Sequence, residues 1–114
     1  MVMPRRYAPK RGEVVWLEFN PQAGHEQAGR CPALVVSPEA YNRRVGLALL
    51  CPITNRLKGY PYEVLLPSGL DISGAILSDR VKSLDWRARQ AKRICDAPAE
   101  VTEEVLAKLR TLVG

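Results

Sequence analysis

Between Pro21 and Pro32 the chain gathers a carboxylate (Glu26), an imidazole (His25) and a guanidinium (Arg30) into one connection punctuated by Gly24 and Gly29. A carboxylate or a neutral imidazole accepts a proton, and a guanidinium holds an anionic oxygen with a fixed cationic fork. Those groups suit the binding or cleavage of a phosphodiester. They equally suit a solvated polar loop, the ordinary state of such a connection. The three cysteines, Cys31, Cys51 and Cys95, are odd in number and contain no CxxC pair, and there is a single histidine. That pattern argues against a zinc site and for reduced thiols, with Cys51 and Cys95 buried as small apolar residues.

Hydrophobic runs on either side must position this loop. Glu13 to Phe19 reads as a first strand, Val14, Trp16 and Glu18 on one face and Val15, Leu17 and Phe19 on the other. Ala33 to Ser37 is nearly continuous in apolar residues, the mark of a strand buried on both faces. Ser37-Pro38-Glu39 is a helix start, with Ser37 as cap and Pro38 in the first helical position. The helix is short, because strand-like sequence resumes at Val45. The strand that follows meets Pro52, which places a bend there or puts the strand at an edge. Further strands are expected at Tyr62–Leu66, Ile72–Leu77, Arg80–Leu84 and Ala91–Cys95, the third with Arg80 and Lys82 on one face. Asp85 to Arg89 reads as a helical turn. From Pro98 a helix carries Val101, Val105, Leu109, Leu112 and Val113 on one stripe, acids early and bases late. Many short strands and a terminal helix predict a mainly β fold with α, a small coiled barrel-like sheet in a single domain spanning 1–114. Residues 1–11 form a basic arm, either flexible or partly ordered.

The chain has 114 residues, 46% of them apolar, enough for one core. It holds no apolar run long enough to span a bilayer, and the basic N-terminus has no apolar run behind it, so a cytoplasmic protein without membrane contact is expected. Residues 1–95 hold fifteen Lys/Arg against eight Asp/Glu, a charge of +7, whereas residues 96–114 hold two against four, a charge of −2. The basic part suits a polyanionic partner, although charge alone also fits a merely basic surface.

Several pieces, in one order, resemble a known family: Trp16 to Pro21, Gly24 to Ser37, Tyr41-Asn42, Pro52-Ile53-Thr54, Lys58 to Pro61, Asp79 to Lys82 and Trp86 to Arg89. The chain resembles the MazF/PemK-type endoribonuclease toxins of bacterial type II toxin–antitoxin systems from Gly12 to Gly114. The resemblance implies an SH3-like barrel with a short internal helix and a C-terminal helix. It implies a homodimer that cuts single-stranded RNA without metal or other cofactor. The products would carry a 2′,3′-cyclic phosphate and a 5′-hydroxyl, and an antitoxin with an acidic tail would cover the active sites. By the same resemblance Glu26 stands at the loop carboxylate, Thr54 at the active-site hydroxyl and Cys31 at the catalytic arginine. Glu26 would take the 2′-hydroxyl proton or orient the loop, and Thr54 would donate to a phosphate oxygen. Asn20, His25, Gln27, Arg30, Arg56, Lys58, Arg80 and Lys82 would contact RNA. Arg80 stands where many relatives have Gln. Trp86 to Arg89 reads as packing rather than readout.

Cys31 is the main departure from the pattern. A neutral thiol offers one weak donor where arginine offers a cationic fork, so the resemblance implies a toxin inactivated at this position. Neighbouring Arg30 would lie on the opposite side of an extended strand and would need a local bulge or twist to take over. Two other classes compete: a non-cleaving toxin that poisons a protein target such as gyrase, and an RNA- or antitoxin-binding module. The loop from Gly24 to Pro32 together with Pro52-Ile53-Thr54 favours the nuclease scaffold. If RNA neutralises about four phosphates on this surface, affinity titrated against salt should fall with a log–log slope of about −3. A flat response would refute the electrostatic part of that reading.

Overall fold

The computed structural model describes residues 6–19 and 29–114. Among them the chain runs β1 (Glu13–Phe19), β2 (Gly29–Val35), α1 (Glu39–Val45), β3 (Leu47–Thr54), β4 (Glu63–Leu65) and β5 (Ala75–Leu77). A one-turn 3₁₀ helix at Ser78–Arg80 leads into β6 (Lys82–Asp85), β7 (Lys92–Asp96) and α2 (Ala99–Val113). The strands pair antiparallel in the order β4-β5-β3-β2-β1-β7, with β6 also on β3. This is the mainly β fold with a short internal helix and a C-terminal helix that the sequence predicts. No helix among the described residues is long and apolar enough to cross a membrane.

The central strands are covered on both faces. On one side Val14, Leu34, Cys51, Ile53, Val64 and Ile76 pack under Val101, Val105 and Leu106 of α2. On the other, Val15, Leu17, Ala33, Val35, Ala48 and Leu50 are closed over by Trp86 and Ala8. Alternation along β1 therefore sends Val14 and Val15 into different clusters, and the continuous run of β2 feeds both. Burial pushes the Cys51 thiol up to about 12, so it behaves as a small apolar residue. Cys95 is only partly buried, because its strand lies at the sheet edge.

Other expectations are corrected. Of the two readings of Pro52, a bend or an edge, the edge is overturned: β3 is central, and Pro52 is accommodated there. One flank of β3 pairs with β6 over Leu47–Leu50 and with β5 over Ile53–Thr54, so Pro52 falls at the handover between them. β5 begins at Ala75 rather than Ile72. Arg80 closes the 3₁₀ turn and is not in a strand with Lys82. Val45 ends α1 rather than opening a strand. Pro38 and Pro98 occupy the cap positions of α1 and α2 rather than the first helical ones. Leu112 and Val113 lie beyond the sheet, 47% and 75% exposed.

Ser37 does not cap α1, because its hydroxyl is taken by a buried polar knot. It donates to Asn42 Oδ1 and accepts from the Leu49 amide at 2.9 Å. Asn42 Nδ2 donates to the carbonyls of Pro9 (2.9 Å) and Ser37 (3.0 Å), and its own carbonyl accepts from Trp86 Nε1 at 2.9 Å. This ties the arm, α1 and the Trp86 turn together. Within the basic arm, Ala8 and Pro9 are buried and the Tyr7 hydroxyl donates to Glu13 at 2.8 Å. Asn42→Ala would leave the Pro9 carbonyl without its donor and the Ser37 hydroxyl proton without its acceptor. It should cost about 2–4 kcal/mol in urea unfolding, whereas Tyr41→Ala at an exposed position should cost below about 0.5 kcal/mol.

Candidate functional site

The groove forms where β2 begins and β3 ends. A cavity of about 460 Å³ is lined by Arg30, Cys31, Pro32, Ile53, Thr54, Asn55 and Arg56. A second, of about 480 Å³, is lined by Thr54, Arg56, Lys58, Tyr60, Glu63, Leu77, Asp79 and Arg80. Thr54 and Arg56 border both, so the two cavities are halves of one groove. Among the sequence-predicted residues it gathers Arg30, Cys31, Thr54, Arg56, Lys58 and Arg80. Lys82, opposite Leu50 on β6, lines neither half. Asn20, His25, Glu26 and Gln27 lie outside the described residues.

Strand parity sorts the groove residues. Ala33 pairs with Pro52 and Leu34 with Cys51, and continuing that register by two residues brings Cys31 across from Thr54. Cys31 has the parity of Ala33 and Val35, and Thr54 that of Leu50 and Ala48, so both project to the Trp86 side of the sheet. Arg30 has the opposite parity. Its guanidinium carbon stands over the Trp16 ring, 5.2 Å from the centroid, a diagonal neighbour across β1 and β2. β1 and β2 stay in register from Val14 to Phe19 with no bulge at Arg30. Arg30 thus borders the groove at the strand end while its charge is engaged on the other side of the ribbon.

Thr54 Oγ1 accepts a hydrogen bond from the Arg56 amide at 3.0 Å. A hydroxyl that accepts in this way keeps its proton for donation into the groove. The following loop is fastened by Glu63, whose two carboxylate oxygens accept from the amides of Lys58 and Gly59, each at 2.8 Å. Across the groove the Tyr60 hydroxyl donates to Asp79 at 2.6 Å. That bond pushes the phenol above its ordinary range and keeps it protonated. Among the described residues both acids lining the groove therefore serve as acceptors for its frame, leaving Arg56, Lys58 and Arg80 as its cationic lining. Glu63, Tyr60 and Asp79 were not recognised from sequence as site residues. Tyr60 and Asp79 do lie within two of the segments that carry the family resemblance, and nothing in their spacing announces that they meet.

A small curled sheet with a helix over one face, and a basic groove at the mouth of two central strands, define a compact β scaffold suited to an anionic ligand. Residues 10–113 match the PemK-like, MazF-like toxins of type II toxin-antitoxin systems, and the chain belongs to that family. The endoribonuclease toxin MazF of Escherichia coli (strain K12) is 44% identical over 112 residues, covering 98% of this chain and 100% of its own. The endoribonuclease toxin ChpB of the same strain is 41% identical over 111 residues, covering 91% of this chain and 93% of its own. Among solved structures, a MazE-MazF crystal structure (Form-II) from Deinococcus radiodurans superposes with a TM-score of 0.91 at 56% identity, covering 96% of this chain and 98% of the other.

Gly74 controls how closely β5 approaches the groove. Its φ is +125°, and a Cβ there would stand 2.4 Å from the Thr54 carbonyl oxygen. Gly69 also has positive φ (+94°) but nothing within 4 Å of a built Cβ. Gly69→Ala should therefore cost about 1 kcal/mol of backbone strain in urea unfolding. Gly74→Ala adds a backbone collision and should cost roughly 2–4 kcal/mol. Equal losses at the two positions would show that the close approach to Thr54 does not matter.

Proposed function

We propose that this chain is the toxin of a cytoplasmic toxin–antitoxin pair, built as a metal-independent endoribonuclease on single-stranded RNA and crippled by Cys31 in the catalytic arginine position. The observation that carries this reading is the strand parity that puts Cys31 and Thr54 on one side of the sheet, in a groove whose free charges among the described residues are cationic. The reading takes 1–114 as one toxin domain. It works as a homodimer, and a cognate acidic antitoxin occupies the groove in competition with RNA. The MazE-MazF complex of the Deinococcus relative supports an antitoxin partner.

In the proposed reaction the RNA 2′-hydroxyl oxygen attacks the adjacent phosphorus. The P–O2′ bond forms, the P–O5′ bond breaks, and the departing 5′-oxygen takes up a proton. The products are the 2′,3′-cyclic phosphate and the 5′-hydroxyl. Glu26 accepts the 2′-hydroxyl proton or orients its loop. Thr54 donates to a non-bridging oxygen through the proton left over from its bond with the Arg56 amide. Arg56, Lys58 and Arg80 hold neighbouring phosphates, and Asn20, His25, Gln27, Arg30 and Lys82 contact the strand. What the groove lacks is a cation at position 31 for the charge that builds on phosphorus.

Restoring that cation is the test. Losing one preorganised donor to a developing oxyanion costs on the order of 10²–10³ in rate, and losing an arginine in phosphoryl transfer roughly 10³–10⁵. Cys31→Arg should therefore raise RNA cleavage by at least about a hundredfold with little change in melting temperature. Cys31→Ser should leave the rate where it was, and Thr54→Ala on top of Cys31→Arg should abolish the gain. Cleavage by the unsubstituted chain at a rate close to that of Cys31→Arg would overturn the proposal and point to Arg30.

A further inference from the structure

We propose that the exposed face of α1 is an auxiliary binding surface for single-stranded RNA, taking the part of the strand that leaves the groove; this rests on the RNA reading above. Tyr41, Arg44 and Val45 are spaced i, i+3 and i+4 and share one helical face. Tyr41 is 40% and Val45 48% exposed. Arg44 is exposed and forms no ion pair or hydrogen bond among the described residues. Arg43 beside it is fixed by Glu39 at 2.8 Å and by the Arg6 carbonyl at 2.7 Å, and Glu39, Ala40, Arg43 and Arg44 border a cavity of about 410 Å³. Arg87 adjoins them, 3.5 Å from the Arg43 carbonyl and stacked 4.9 Å from the Trp86 ring centroid.

The surface is continuous in charge with the groove. α1 ends beside the start of β3, and Thr54 closes the other end of that eight-residue strand, roughly 23 Å away. β6 runs antiparallel along β3, from Lys82 opposite Leu50 to Asp85 opposite Leu47. Arg80 in the groove, Lys82 midway and Arg87 beyond the strand therefore mark a basic path from one end of β3 to the other. The acids along it are already engaged: Asp85 Oδ1 accepts from the amides of Arg87 and Ala88, and Glu39 pairs with Arg43. Lys82, which the groove leaves out, has its place on this path. An exposed aromatic between cations favours single-stranded nucleic acid over an acidic peptide. Bases stack on the ring while phosphates meet the arginines, whereas an acidic peptide uses only the charge.

The test titrates fluorescent hexauridylate and an oligouridylate of about 18 nucleotides against the unsubstituted chain and against a Tyr41→Ala/Arg44→Glu variant checked for an unchanged melting temperature. The extra registers of the longer RNA are the same for both proteins, so the readout is the difference between them. The variant should lose at least about fivefold on the long RNA and under about twofold on hexauridylate, with a salt slope on the long RNA shallower by about 0.7–1. Equal changes on both RNAs, or none, would overturn the proposal while leaving the groove reading intact. If the unsubstituted chain binds neither RNA, the RNA reading falls and this proposal with it. Weaker binding of an oligoglutamate peptide by the variant, with RNA unchanged, would make the surface a protein-docking one and also overturn it.

Discussion

Leu34 pairs with Cys51 and Val35 with Leu50, and the side chains of this ladder enter packed clusters on both faces of the sheet. That double burial constrains everything else. A one-residue slip between β2 and β3 would exchange the two sets of side chains, sending residues shaped for the α2 side toward Trp86. The register is thereby held, and with it the placement of Cys31 across from Thr54 at the open end. It also places α1 at the far end, where the Ser37–Asn42 knot ties it to the arm and to Trp86. The groove and the α1 surface are two ends of one pinned strand.

Elements dominated by burial were legible in the sequence. The alternation of β1 and the apolar stripe of α2 up to Leu109 leave a periodic trace and lie where the sequence predicts, whereas β2 starts at Gly29, inside the expected loop, and ends at Val35 rather than running from Ala33 to Ser37. Features set by a distant partner were not. Ser37 looks like a helix cap until Asn42 and the Leu49 amide claim its hydroxyl. Pro52 looks like an edge residue until two strands, far apart in sequence, are seen to share one flank of β3. Arg80 and Lys82 alternate like a strand, but the chain turns through a 3₁₀ helix to carry β5 into β6. Leu112 and Val113 continue the helical stripe in sequence and outrun the sheet they would cover.

The groove divides along the same line. Thr54, Lys58 and Arg80 could be named because their segments appear in the order of a known family, Arg56 falls between two of those segments, and all four line one surface. The Tyr60–Asp79 hydrogen bond joins residues nineteen apart in the chain. Neither residue has a local pattern that announces the other. Glu63 reads as a strand residue, yet its carboxylate organises the backbone of the preceding loop. Such framing contacts depend on how the loop folds back, which periodicity does not encode.

Position 31 shows why the fold and the proposed chemistry separate so cleanly. Cys31 is half-buried at the mouth of the groove and belongs to neither core cluster, so the thiol contributes little to the packing that holds the register. Position 30, one residue away, projects to the other side, and its guanidinium lies over Trp16. To reach the Thr54 side, Arg30 would have to leave that ring and break the regular β1–β2 ladder that runs through Glu18 and Leu17. Adjacent positions on one strand are therefore not interchangeable donors, however close they are in sequence. Charge at the groove mouth depends on strand parity, and the two-sided core determines that parity.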